Sequence, residues 1–176
     1  AGVVEIEFED RLRDRSRWKI GDACSLTKVL DLLSTKTAFL IIRECFYGTS
    51  RFEDFVERIG ASAPSVSRAL KQLEAAEIVM RVPYQEPGKR VQDEYRLTEA
   101  GQDLFPALLS LVHWGDKHLQ GGSGPLTFFD ADSGRPLRVD IATETADPPA
   151  RPENIELRLN THLRRRSSTA SRPRRK

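Results

Sequence analysis

"SAPSVSRALKQLEAAEIVMRVPYQEPGKR", residues 62–90, changes its period half way along. Over 62–76 the apolar residues recur at helical spacing. On a wheel of about 100° per residue, Val66, Leu70 and Leu73 cluster together, with Ala69 at their edge. Pro64, Arg68, Lys71 and Gln72 take the opposite side, flanked by Ser65. Ser62 suits an N-cap, and Pro64 fits a first turn, where backbone N–H groups lack intrahelical partners. Residues 78–84, IVMRVPY, are β-like in character. Glu86-Pro87-Gly88-Lys89 is turn chemistry, and 94–97, EYRL, supplies a returning strand. A helix anchored by aliphatics thus turns a cationic side outward and runs directly into a hairpin with a cationic tip.

The flanking sequence gives this unit a scaffold. Leu26, Val29, Leu30 and Leu33 form one stripe of an amphipathic helix. Residues 37–47, TAFLIIRECFY, are apolar almost all round and predict a buried helix that Gly48 closes. Phe52, Phe55, Val56 and Ile59 repeat the stripe up to Gly60. After the hairpin, Thr98 is placed to cap a long helix reaching about Leu119, with Pro106 marking a kink or an early irregularity. Leu104, Leu108 and Leu111 line one side of it, with Phe105, Leu109 and Val112 beside them. That surface is too wide for one packing partner, so it faces both its own core and a second subunit. Beyond the flexible break at 121–124, residues 125–143 resemble a hairpin turning at Asp132-Ser133-Gly134, and 154–159, NIELRL, reads as another strand.

Composition excludes several function classes. The 176 residues are 31% charged and 7% aromatic, which leaves a modest core. No apolar run approaches the roughly 18–20 residues of a membrane span, and the N-terminus lacks the apolar stretch of a signal peptide, so a soluble cytoplasmic protein is expected. Two cysteines make no disulfide framework, and three scattered histidines give no metal-ligand spacing. No metal and no cofactor are expected. The net charge of +2 hides an asymmetry: residues 164–176 hold seven Lys/Arg and no acid, leaving the rest with five more acidic than basic residues. Two readings of that tail stand: non-specific contact with a polyanion, or a solvated disordered end. The chain divides into an N-terminal extension (1–20), a main domain (21–120), an extension with a hairpin (121–163) and the basic tail.

Three helices, a two-stranded wing and a long helix describe a winged helix-turn-helix, mostly α in an α+β fold. Residues 52–59 form the positioning helix and 62–76 the recognition helix. A B-DNA major groove admits one α-helix, whose outward side chains reach base edges. Arg68 can donate two hydrogen bonds to guanine, and Gln72 can pair with adenine. Ser65 and Lys71 suit phosphate contact, and Lys89 and Arg90 at the wing tip suit the flanking backbone or minor groove. Taken alone, a cationic helix face is usually just solvated; the adjoining cationic wing favours DNA.

The segments Cys24-Ser-Leu-Thr, LDLLSTKTAFLIIRECFYGTSRFEDF, SVSRALKQLEAAEIVMR, EYRLTEAG and LLSLVHWG resemble the HxlR-type winged-helix transcription regulators, from Cys24 to about Leu119. The resemblance implies a bacterial homodimer on double-stranded DNA, joined through the N-terminal helix and the helix after the wing. Three departures stand out: Thr37 replaces a usual tryptophan, Glu77 replaces the glycine that ends the recognition helix, and VQDEY is longer than usual. The extension after Gly121 matches no element of the family. Cys24 lies where the family's N-terminal cysteine does, just before a helix, and relatives can use it as a redox switch. The alternative is an ordinary thiol at the subunit seam, favoured by nearby Asp22. Cys45 is expected in the core.

Weaker candidates have plain alternatives. Residues 130–134 look faintly like a calcium loop, but a hairpin turn accounts for them without the missing ligands. His113, Trp114 and His118 either line a small-molecule effector pocket between subunits or, more simply, pack in the core or at an interface. No phosphate loop or nucleophile elbow occurs, so an enzyme is not expected. The rival to DNA binding is a protein-interaction module on the same scaffold.

Overall fold

The computed structural model describes residues 24–88, 90–139 and 155–159. The expected N-terminal extension, wing-tip Lys89 and basic tail lie outside the described residues. In chain order the elements are α1 (Ser25–Leu32), α2 (Lys36–Phe46), α3 (Phe52–Ile59) and α4 (Ala63–Ala75). Strands β1 (Val79–Tyr84) and β2 (Gln92–Leu97) follow, then α5 (Glu99–Gln102), α6 (Phe105–Leu119), β3 (Leu126–Asp130) and β4 (Ile155–Leu159). The order is that of a winged helix-turn-helix.

Burial explains the helical cluster. The apolar faces of α2, α3 and α4 meet around Ala38, Ile41, Ile42, Phe55, Val66, Ala69, Leu70 and Leu73, all of them buried. Each fully buried aliphatic is worth about 2 kcal/mol relative to exposure. The ends of the helices are equally specified by sequence. Thr35 caps α2 by accepting the Ala38 N–H at 3.1 Å. At the other end of α2, Gly48 takes φ 83°, its N–H bonding to the Cys45 carbonyl while the Thr49 N–H bonds to that of Glu44. This Schellman closure satisfies carbonyls that the helix leaves open.

Helix α4 ends in the same way with an unfamiliar residue. Glu77 adopts φ 56°, the one positive-φ non-glycine among the described residues. Its N–H bonds to the Glu74 carbonyl at 3.0 Å and the Ile78 N–H to that of Leu73 at 2.9 Å. The Thr98 hydroxyl donates to the Glu77 carbonyl, which helps hold this turn. The glutamate that departs from the family's glycine therefore stands at the left-handed position where a glycine is easiest.

Two sequence expectations are corrected. The helix begun by Thr98 is not continuous to Leu119: Thr98 caps only the short α5, accepting the Gly101 N–H at 3.1 Å. The chain then turns at Asp103 and Leu104, and Pro106 sits in the first turn of α6. Proline lacks the N–H needed to continue α5 through this point, yet is accommodated where α6 starts.

The second correction concerns β3, whose ladder partner is β4 rather than the segment immediately after the turn. Leu126 faces Leu159 and Asp130 faces Ile155 in antiparallel register. The turn itself forms, and residues 135–137 return beside β3, bridging Phe129 and Pro136 with the Asp130 N–H bonded to the Arg135 carbonyl and the Leu137 N–H to that of Phe128; residues 140–143 of the expected hairpin lie outside the described residues. Phe128 is 2% exposed and decides which way this sheet faces. Its ring packs against Phe105 at 5.7 Å and Tyr47 at 6.3 Å, joining a second, smaller apolar cluster to the ends of α2 and α6.

Candidate nucleic-acid interface

Helix α4 is turned by its own aliphatics. Val66, Leu70 and Leu73 are at most 1% exposed, so the residues opposite must face away from the core. Arg68 and Lys71 are exposed there, and among the described residues neither has an ion-pair partner. Ser65 is half-buried in the first turn, its hydroxyl 2.9 Å from that of Ser62. Ser62 occupies the N-cap position but makes no side-chain cap. The first turn of α4 thus keeps its backbone donors available near Ser65.

Gln72 has a different occupation. Its Nε2 donates to the Leu32 carbonyl at 2.9 Å and reaches the Asp31 carbonyl at 3.4 Å. Those carbonyls belong to the last turn of α1, where intrahelical donors run out. The side chain expected to read adenine is, in this arrangement, a strut between α1 and α4. Periodicity places it correctly on the wheel but cannot reveal a partner some forty residues earlier.

The wing follows α4 without a linker. Its strands pair from Val79 with Leu97 out to Tyr84 with Gln92. Arg90 is exposed at the tip. Residues 50 and 51 extend the sheet, the Tyr95 N–H bonding to the Ser50 carbonyl at 2.8 Å and Arg51 bridging Glu94. Two arginines that helical periodicity does not single out sit here. Arg51, just before α3, stacks 4.8 Å from the Tyr84 ring and pairs with Glu86 at 2.7 Å. Arg81, on β1, pairs with Glu74 of α4 at 2.7 Å.

Cys24 and Cys45 are both free thiols in unlike surroundings. Cys24 stands at the N-cap of α1 without closing a side-chain cap, and the neighbouring Thr27 N–H, Thr27 hydroxyl and Leu26 N–H, in that order, hold its pKa below the ordinary thiol value. Burial, with a smaller push from the Glu44 charge, drives the Cys45 pKa up to about 12. Glu44 is itself 4% exposed, neutralised by Arg43 and accepting the Thr49 hydroxyl at 3.2 Å. His118 stacks against Trp114 with ring centroids 5.1 Å apart. Among the described residues, no cluster of three or more His, Cys, Asp or Glu could hold a metal ion, and no helix is long and apolar enough to cross a membrane.

Comparison with known proteins places the fold. An uncharacterized HTH-type transcriptional regulator of Mycobacterium tuberculosis is 40% identical over 101 residues, which are 57% of this chain and 63% of the relative's length. A second uncharacterized HTH-type transcriptional regulator, from Synechocystis, is 33% identical over 104 residues, covering 58% of this chain and 76% of that protein. The crystal structure of PA1607, a candidate transcription factor, superposes with a TM-score of 0.61 at 27% identity, covering 70% of this chain and 85% of that one. The HxlR-like helix-turn-helix family matches residues 32–123, just over half of the sequence, from the end of α1 to the loop beyond α6. By that match, carried on the same scaffold of helices and wing, the chain belongs to the HxlR-like helix-turn-helix family.

Proposed function

We propose that the chain is a cytoplasmic, homodimeric transcription regulator that binds double-stranded DNA in a sequence-specific manner. Arg68 carries this reading: it projects from the middle of α4, directly opposite the buried Val66, Leu70 and Leu73. A guanidinium so placed can make the bidentate contact to guanine that a major groove exposes. Lys71 and Ser65 supply phosphate contacts beside it, and Arg90 with Lys89 the contacts of the wing to the flank. Gln72 supports the recognition helix through α1, and reads a base only if it leaves the Leu32 carbonyl. Two subunits would set their α4 helices about one duplex turn, roughly 34 Å, apart.

The dimer reading draws on exposed apolar residues of α1 and α6. Leu26 and Leu30 are 65% and 59% exposed, and Leu111 and Trp114 are 56% and 57% exposed. Isolated apolar residues are ordinary on a surface, but two helices each presenting several suit a subunit interface.

Selection of bound fragments from random DNA tests the proposal. A shared near-palindromic sequence is expected, and Arg68→Ala should cost about 1–3 kcal/mol on it while relaxing base preference. Wild-type affinity in that variant overturns the recognition-helix assignment. A DNA-free complex insensitive to salt instead supports the protein-interaction reading. The same selection under diamide and under reductant tests Cys24 as a sensor; unchanged binding retires it from that role.

A further inference from the structure

The base of the wing is held by the buried Val79, by Tyr95 and Leu97 packed against the main core, and by the Tyr95 N–H bonded to the Ser50 carbonyl, but its outer part has little of its own to hold it in place. Beyond Val79, no residue of β1 or β2 is fully buried. An isolated two-stranded hairpin is marginally stable in water, so its aim must be fixed from outside. The described contacts do this on two sides. On one, Arg51 joins the start of α3 to the far end of the hairpin: it stacks on Tyr84 and pairs with Glu86, while the Tyr84 hydroxyl donates to Gln92 Oε1 at 2.6 Å across the strands. On the other, Arg81 joins β1 to α4 through Glu74, and reaches Asp93 of β2 at 3.5 Å. Its guanidinium also lies 5.9 Å from the Tyr95 ring, which packs edge-on against the buried Phe55 of α3. Each arginine therefore combines an ion pair with an aromatic platform, and each connects the wing to a different helix of the helix-turn-helix.

We propose that Arg51 and Arg81 are positioning residues that fix the span between the outward face of α4 and the wing tip. That span sets how far along a duplex the flanking contact falls from the groove contact. The inference rests on the proposed DNA-binding reading for its consequence, and on the two ion-paired arginines for its mechanism. It differs from a role in which the same cations simply touch phosphate. Direct contact makes Glu74 and Glu86 inhibitory, since they occupy the guanidinium groups and repel the backbone. A brace makes the same glutamates necessary.

The double variant Glu74→Ala with Glu86→Ala separates the two, because the predicted signs are opposite. Both glutamates are about one-third exposed, so the fold should survive their loss. One exposed ion pair is worth at most about fivefold in an equilibrium constant. The brace predicts that operator affinity falls about five- to tenfold and that the footprint loses its flanks while the centre stays protected. Tighter binding with intact flanks overturns it. A second measurement needs no DNA: spin labels at Ala75→Cys and Val91→Cys, in a Cys24→Ser background, report the distance from α4 to the tip. A narrow distance distribution that broadens in the double variant supports the brace, and one that stays narrow overturns it. If the wild type selects no DNA sequence, the proposed function fails on its own, and the proposed consequence of the brace fails with it; the distance measurement still decides the mechanics.

Discussion

At the scale of single residues, the two thiols make opposite predictions about reactivity. The donors of Thr27 and Leu26 at the start of α1 favour the Cys24 thiolate, so at pH 8 Cys24 holds a larger ionised fraction than a free thiol does. Cys45, with its pKa at about 12, holds almost none. Iodoacetamide should therefore modify one thiol per native chain, with a rate that rises through a midpoint below the ordinary thiol range. The second thiol should react only in denaturant. Equal native rates at the two sites would contradict the assignment. Glu77 offers a stability test of the same kind. A left-handed L-residue costs about 1–2 kcal/mol, and glycine loses about 0.5–1 kcal/mol of that advantage through its greater freedom when unfolded. Glu77→Gly should raise stability by about 0.5–1 kcal/mol in chemical denaturation. A loss would mean that the glutamate side chain makes a contribution larger than its backbone strain.

Between elements, α5 passes tightly against the residue that opens the wing. A Cβ on Gly101 would stand 2.2 Å from the Ile78 carbonyl oxygen, a backbone atom that also accepts the Thr98 N–H. Gly101→Ala should therefore cost about 1–3 kcal/mol as the strand and helix are forced apart. Gly115, inside α6, has nothing within 4 Å of its missing Cβ. Gly115→Ala should gain up to about 1 kcal/mol from helix propensity, and thermal unfolding of the pair separates packing from propensity. This junction also marks how far sequence could be read. Stripes of Phe, Val, Leu and Ile gave α2, α3 and α4 nearly to the residue, because each helix buries one face on the same core. Pro106 signalled an irregularity but not a second helix, since the cap at Thr98 and the start of α6 are consistent with either. The partner of β3 was illegible for another reason. Two nearby segments had strand character, and both come to lie beside β3, which alternation along the chain does not reveal. Arg68 was legible as an outward residue from the wheel alone, whereas the strut at Gln72 and the pairs at Arg51 and Arg81 depend on where α1 and the wing come to rest.

For the whole molecule, the deciding quantity is the number of recognition helices presented at once. One α4 with a single guanine-reading arginine and a few phosphate contacts gives little discrimination, because each good bidentate contact is worth about 1–3 kcal/mol. Two copies on a near-palindromic site make the second engagement intramolecular, which can raise affinity by about 10²–10⁴ without a new contact. The exposed apolar residues of α6 are the place to test this, since Leu111 and Trp114 contribute little to the fold of one chain. Leu111→Asp with Trp114→Asp should leave the unfolding of the monomer nearly unchanged. If the proposed dimer forms through this face, sedimentation equilibrium should show a dimer for the wild type and a monomer for the variant, and the concentration dependence of the wild-type melting temperature should vanish. Operator affinity should fall by at least about a hundredfold, while binding to a half-site stays the same. If the variant remains dimeric, the subunit contact lies elsewhere. If it is monomeric yet binds the full site as tightly as before, α4 reads DNA without a partner, and the apolar face of α6 serves another purpose.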